Sequence, residues 1–119
     1  MSVVAAQAAY AYGADWALQL RQYLDANFKF TGEYLAEHLP KAIYTISEAT
    51  YLAWVDINAY ITPETEFLPL LFANKAGVLL EGGDMFVSNS AGFIRLNLAC
   101  PKAILEKGLS RICELLNKA

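Results

Sequence analysis

The sequence has few of the residues on which metal and hydrolytic chemistry depend. It contains one histidine, His38, and two cysteines, Cys100 and Cys113, which form no CxxC pair. His38 ends an amphipathic segment before Pro40, where a favourable interaction with a helix C-terminus explains it. No serine or cysteine lies in a recognisable nucleophile elbow. We therefore expect no histidine-based metal site, no hydrolase triad, and two reduced, packing thiols in a cytoplasmic protein.

Clustered positive charge and long apolar runs are also missing. The net charge is −3 with a pI near 5.0, and the nine lysines and arginines are scattered among twelve acids, which argues against nucleic-acid binding. The apolar run at residues 2–11 has no basic start and contains Gln7, so it predicts a helix rather than a signal peptide. Gln7, Asp15, Gln19 and Arg21 interrupt the only candidate membrane span, so no membrane association is expected.

The chain is, by contrast, rich in apolar residues. It contains 119 residues, of which 56% are hydrophobic and 18% charged, with a mean hydropathy of +0.30. This length predicts a single domain, residues 1–119. Because the composition is unusually apolar for a small soluble domain, we expect part of its surface to meet a partner.

Helical patterns dominate the N-terminal third. Residues 3–12 favour a helix that Gly13 interrupts, and Asp15 is a candidate N-cap for a second helix continuing to about residue 37. The apolar positions of that second helix recur every three or four residues: Trp16, Leu20, Tyr23, Leu24, Phe28, Leu35 and Leu39.

Short strands and two helices follow. Residues 43–46 and 50–56 predict two strands, or one strand with a bulge. The isolated Asp56 is interpreted as a turn or cap residue. Thr62 and Pro63 predict the start of a helix over residues 62–75, bent at Pro69 and closed by Gly77. Then come a strand at residues 78–80, a flexible turn at 81–84 and an apolar run at 85–87.

A last helix from Pro101 carries one apolar stripe of Ile104, Leu105, Leu109, Ile112, Leu115 and Leu116. Together with the preceding elements, this order predicts an α+β fold, a two-layer sandwich of mainly antiparallel sheet with helices packed on one face.

Residues 92–101, Gly-Phe-Ile-Arg-Leu-Asn-Leu-Ala-Cys-Pro, hold the polar residue that composition does not explain. In a strand, Ile94, Leu96, Leu98 and Cys100 share one face, and Phe93, Arg95, Asn97 and Ala99 share the other. An arginine among apolar neighbours either extends its charge to water or pairs with an anion, and its planar fork suits a carboxylate. The pattern alone leaves both possibilities open.

Residues 92–101 resemble the signature near the C-terminus of fold-type I, pyridoxal-phosphate-dependent enzymes, in the aminotransferase class I/II branch that includes the cystathionine β-lyase-like C–S lyases. Residues 49–56, Ala-Thr-Tyr-Leu-Ala-Trp-Val-Asp, resemble that branch too, as do residues 8–10 and 13–16, in the expected order. In that family the arginine of this strand binds the substrate's α-carboxylate, which implies that role for Arg95.

The resemblance spans nearly all of this chain but only the last third of a family enzyme. It implies that residues 1–119 are a C-terminal fragment of a longer enzyme, a C–S β-lyase or an aminotransferase. Pyridoxal 5'-phosphate (PLP) would be the cofactor of the complete enzyme, none being expected for this chain alone. The implied partners are an amino-acid substrate, the missing PLP-binding large domain and a second copy in a homo-oligomer.

Two features separate this chain from a complete family member. The family usually has glycines where Val87 and Ser90 stand, which suggests an altered substrate preference or a loop freed from its usual constraint. None of the six lysines lies in a Ser/Thr-x-x-Lys context, and Lys75, the nearest imitation, is explained as a cation at a helix C-terminus. The isolated chain is therefore predicted to be inactive. A free-standing amino-acid-binding module and a dimerisation module are the alternatives.

Overall fold

A computed structural model of the protein describes residues 1–62, 64–65 and 67–118. The elements follow in the order helix α1 (Ser2–Tyr12), α2 (Ala14–His38), strands β1 (Ile43–Tyr44) and β2 (Leu52–Asp56), α3 (Leu68–Leu71), β3 (Glu81–Gly82), β4 (Phe93–Asn97) and α4 (Lys102–Lys118). Short 3₁₀ turns lie at Asn58–Tyr60 and Gly83–Met85. The predicted succession of helices and strands is confirmed, with the third strand at different residues from those predicted.

The strands form one antiparallel sheet in the order β1-β2-β4-β3. One face carries Ala53, Val55, Ile94 and Leu96, which are all buried and share a single core with apolar side chains of α2 and α4. The helix residues of this core include Phe28, Leu35, Leu105, Leu109, Ile112, Cys113 and Leu116. The predicted α+β sandwich with helices on one face of the sheet is confirmed.

Polar groups of α2 fix the connection between β4 and α4. Asn27, which is 1% exposed, donates to the Leu98 and Cys100 carbonyls over 2.8 and 3.2 Å. The Tyr23 hydroxyl donates to the Cys100 carbonyl over 3.0 Å and accepts from the Lys102 N–H over 2.9 Å. These bonds satisfy backbone groups that neither the strand nor the helix can pair, so the end of β4 is held firmly.

Helix α1 and the start of α2 lie outside the core. No residue of α1 is buried, and Trp16 is 69% exposed although it continues the apolar periodicity of α2. Asp15 does not cap α2, whose N-cap position is Gly13, so that prediction was wrong. Trp16 is not a core residue, because the side chains of α2 that pack into or against the core begin only at Leu24. Ile104, 61% exposed on α4, is likewise outside the core.

The third helix begins later than the sequence pattern indicates. Thr62 forms a turn in which its N–H donates to Thr65 Oγ1 and its carbonyl accepts from the Thr65 N–H. The helix starts at Leu68 and continues as a π-helical turn, Phe72–Ala76, closed by Gly77 in the left-handed conformation at φ 63°. Pro69 lies in the first helical turn, where its missing N–H breaks no intrahelical bond. The predicted bend at Pro69 was therefore wrong, and Pro63 lies outside the described residues.

The predicted strand at residues 78–80 is absent, and the strand lies instead at Glu81–Gly82, which the sequence pattern placed in a flexible turn. The apolar run at 85–87 does not form a strand. Among the described residues, no helix combines the length and apolarity needed to cross a membrane.

Candidate functional site

Arg95 lies in the middle of β4, between two strands that place side chains beside it. Its register partners are Trp54 on β2 and Glu81 on β3. Residues opposite each other on neighbouring strands project from the same face, so the three side chains form a row across the sheet. This face is the one that α2 and α4 leave uncovered.

Glu81 and Phe86 contact the Arg95 guanidinium directly. Arg95 Nε donates to Glu81 Oε2 over 2.7 Å, and Nη2 donates to the same oxygen. The guanidinium carbon lies 4.0 Å from the centre of the Phe86 ring, in a cation–π contact. Arg95 is therefore not merely an arginine with a solvated head: it is paired and covered, with its side chain 25% exposed.

Aromatic side chains form the surroundings of this pair. The Trp54 ring stacks on Phe93 at 5.8 Å between centroids and meets Phe86 edge-on at 6.1 Å. Such apolar neighbours exclude water from one side of the guanidinium and strengthen its attraction to an anion. The arrangement is suited to binding a carboxylate that approaches from the open side of the sheet.

The turn before β4 is locked by contacts to the end of β2. Gly92 has φ 78°, and a Cβ placed on it would lie 2.0 Å from Asn58 Oδ1. Asn58 Nδ2 donates to Asp56 Oδ1 over 2.8 Å and to the Ala91 carbonyl over 3.1 Å, while the Ile57 N–H donates to the Gly92 carbonyl. Asp56 thus acts as a turn residue, as interpreted from the sequence, and Gly92 is required by both conformation and space.

The loop at residues 83–92, which contains Val87 and Ser90, is ordered by backbone hydrogen bonds. The Val87 and Phe93 N–H groups donate to the Gly83 and Ser90 carbonyls, and Ser90 donates to the Val87 carbonyl. Ser90 is 7% exposed, whereas Val87 is 50% exposed. The larger Val87 side chain therefore lies at the surface of this loop, and Ser90 packs inside it.

The remaining chemistry-bearing residues lie away from Arg95. His38 is in the last turn of α2, where its ring packs against Tyr34 at 4.3 Å, and Lys75 is exposed in the last turn before Gly77. Cys113 is buried, and burial raises the pKa of its thiol to about 11; burial also raises the pKa of Cys100. Within the described ranges, histidine, cysteine and acidic side chains form no cluster that could hold a metal ion.

Glu81 is the site residue that sequence reasoning missed. A strand of two residues is too short to show an alternating pattern, and the following pair of glycines indicated a turn. The sequence held no local signal for Glu81. Its pairing with Arg95 follows from the register of β3 against β4, which only the structure provides.

Several proteins with similar sequences or structures are named as cystathionine β-lyases or PLP-bound C–S lyases. The chain is 36% identical over 111 residues to cystathionine β-lyase PatB of Bacillus subtilis and 31% identical over 110 residues to protein MalY of Escherichia coli, covering 93% and 92% of this chain. The PLP-bound C–S lyase of Staphylococcus hominis superimposes with a TM-score of 0.93 at 44% identity over 97% of this chain. No family model matches.

Each of these matches covers only part of the related protein. The chain spans 28% of the length of PatB, 28% of MalY and 30% of the Staphylococcus hominis lyase. The similarity therefore extends over nearly all of this chain and less than a third of each relative.

Proposed function

The chain is a homologue of the C-terminal part of the PLP-dependent C–S lyases of the cystathionine β-lyase group, and we propose that it is the small domain of such an enzyme, with Arg95 binding the substrate's α-carboxylate. The observation that carries this proposal is the placement of Arg95. It lies on the open face of the sheet, in a row of aromatic and charged side chains, at the centre of the segment that resembles the family signature.

The role follows from the chemistry of the guanidinium. Arginine stays charged at any physiological pH and presents donors in a planar fork, which matches the two oxygens of a carboxylate. Every α-amino-acid substrate carries that carboxylate, whatever bond is later broken. Arg95 would thus bind and orient the substrate without touching the bond that reacts, and the choice between elimination and transamination would be made elsewhere.

The described residues do not fit a PLP site. The cofactor needs a lysine amine in an enclosed pocket, an acidic partner for its ring nitrogen and donors for its phosphate. All six lysines of the chain are exposed: Lys29, Lys41, Lys75, Lys102, Lys107 and Lys118. PLP binding in the complete enzyme is therefore assigned to the large domain, and the chain alone is expected to be inactive.

Helix α1 and the exposed start of α2 at Trp16 offer a surface for that domain or for a second copy of the chain in a homo-oligomer. Val3, Val4, Tyr10, Tyr12 and Trp16 are all at least 69% exposed. Several large apolar side chains exposed over one short stretch of chain favour an interface. The fragment interpretation of residues 1–119 accounts for both this surface and the partial coverage of the relatives.

The test is Arg95→Ala in the complete, PLP-loaded enzyme, with L-cystathionine and a cysteine conjugate as substrates. Loss of a charge-assisted pair should weaken substrate binding by about 2 to 4 kcal/mol and raise KM accordingly. Arg21→Ala is the matched control and should leave KM unchanged, because Arg21 is an exposed residue of α2 on a different element from Arg95. An unchanged KM in the Arg95→Ala enzyme would refute the assignment.

A further inference from the structure

Glu81 restrains one particular edge of the Arg95 guanidinium. A guanidinium can offer paired donors along two edges, the Nε and Nη2 edge and the Nη1 and Nη2 edge. Glu81 Oε2 accepts from Nε over 2.7 Å and also from Nη2, so a single oxygen occupies the first edge. Nη1 has no hydrogen-bond partner within residues 1–62, 64–65 and 67–118.

The remaining freedom of the guanidinium is limited by Phe86 and by the backbone. Phe86 covers one face of the planar group at 4.0 Å. Glu81 and Arg95 are direct register partners on β3 and β4, so their Cα positions are fixed by the sheet. An arginine side chain loses rotamer entropy when it becomes ordered, and here much of that ordering takes place before any ligand binds.

We propose that Glu81 is a positioning residue: it holds the Nε and Nη2 edge of Arg95 so that the Nη1 and Nη2 edge is presented, already oriented, to the substrate carboxylate. This inference rests on the proposed function of Arg95 and extends it to a residue that does not touch substrate. Two carboxylates then share one guanidinium, Glu81 along the side edge and the substrate along the end edge.

The alternative is that Glu81 competes with the substrate carboxylate for Arg95. Glu81 would then act as an internal substitute for the substrate carboxylate, and binding would require its displacement. The occupied edge argues against this role, because Glu81 approaches through one oxygen at the side and leaves the end edge open. The two roles predict opposite signs when Glu81 is removed, so a single substitution separates them.

The experiment compares Glu81→Ala and Glu81→Gln in the complete PLP-loaded enzyme, measuring KM and kcat with L-cystathionine. Positioning predicts a KM about tenfold higher for Glu81→Ala, equivalent to about 1.4 kcal/mol, with kcat within about twofold. Glu81→Gln should show a smaller rise, because its amide oxygen can still accept from Nε and Nη2 without the charge. Glu33→Ala, which removes an exposed acid near Lys29, is the matched control and should leave KM unchanged.

A double variant tests whether Glu81 acts through Arg95. Adding Glu81→Ala to Arg95→Ala should cause no further rise in KM, because the residue acts only through the guanidinium. A lower KM in Glu81→Ala would establish competition and overturn the proposal, as would an unchanged KM alongside a raised one for Arg95→Ala. If Arg95→Ala itself leaves KM unchanged, the proposed function fails first and this inference fails with it.

Discussion

The two faces of β4 differ in what holds their side chains. Toward the helices, Ile94 and Leu96 are 1% and 8% exposed and pack into the single apolar core. On the opposite face, Arg95 and Phe93 are partly exposed, and specific partners from β2, β3 and the 83–92 loop surround them. The helix-facing side is stabilised by many similar apolar contacts. The open side is held by a few specific interactions, namely an ion pair, a cation–π contact and ring stacking. The comparison indicates that stability resides mainly on the first face, whereas the second face carries the side chains to which we assign the proposed binding role.

The largest expected effect on stability comes from a substitution on the helix-facing side of β4, compared with one on its open side. Ile94→Ala should lower the free energy of unfolding by about 3 kcal/mol, because it removes buried methyl groups and leaves a cavity. Arg95→Ala, one residue further along, should cost about 1 kcal/mol or less, since partly exposed ion pairs contribute little. Urea denaturation of both variants measures the difference. Equal losses would mean that the open face is as much a part of the core as the helix face.

The turn that brings β4 into register should show a somewhat smaller effect. Gly92→Ala forces a Cβ into the left-handed region at φ 78° and against Asn58, which should cost about 2 kcal/mol. Gly108→Ala is the control: this helical glycine has open space around it, so alanine there should be neutral or stabilising. If both substitutions lower the unfolding midpoint equally, the special geometry assigned to Gly92 is wrong.

The smallest expected effect is the pH dependence of stability that arises from two groups on the helix-facing side of the sheet. Burial raises the pKa of Cys113 from 9.0 to about 11 and that of Tyr44 from 10.0 to about 12. The folded state therefore retains protons that the unfolded state loses, so stability is complete below pH 9 and falls as pH rises from 9 to 12. By pH 10, one pH unit above the unfolded pKa of the thiol, the loss from Cys113 alone should be about 1.4 kcal/mol. Cys113→Val should show a shallower decline, whereas an identical pH profile would contradict the role of the thiol.

The helices and the buried strands were readable from the sequence because their patterns repeat. The apolar positions of α4 recur along one stripe, and Leu105, Leu109, Ile112 and Leu116 are all buried. The alternation in residues 93–98 correctly assigned Ile94, Leu96 and Leu98 to the core. Such patterns persist in the fold because each position buries a similar amount of apolar surface.

The partners of Arg95 were not readable, since they depend on pairings between distant residues. Glu81 is in a two-residue strand whose register places it opposite Arg95, and Phe86 reaches the guanidinium from an irregular loop. The exposure of Trp16 has a similar origin, because periodicity identifies an apolar face of α2 but not how much of that face the rest of the protein covers. The local sequence thus identified Arg95 as the candidate site residue, whereas its partners Glu81 and Phe86 are determined by the tertiary structure.

The most direct test is the coupling between Arg95 and the substrate carboxylate in the complete PLP-loaded enzyme. Dissociation constants would be measured for an amino-acid ligand and for its neutral amide, in the wild-type protein and in Arg95→Ala. The account predicts that the wild type prefers the acid and that this preference is lost in the variant, a coupling of about 2 to 4 kcal/mol. The same preference for the acid in both proteins would contradict it, because the carboxylate would then be bound by another group.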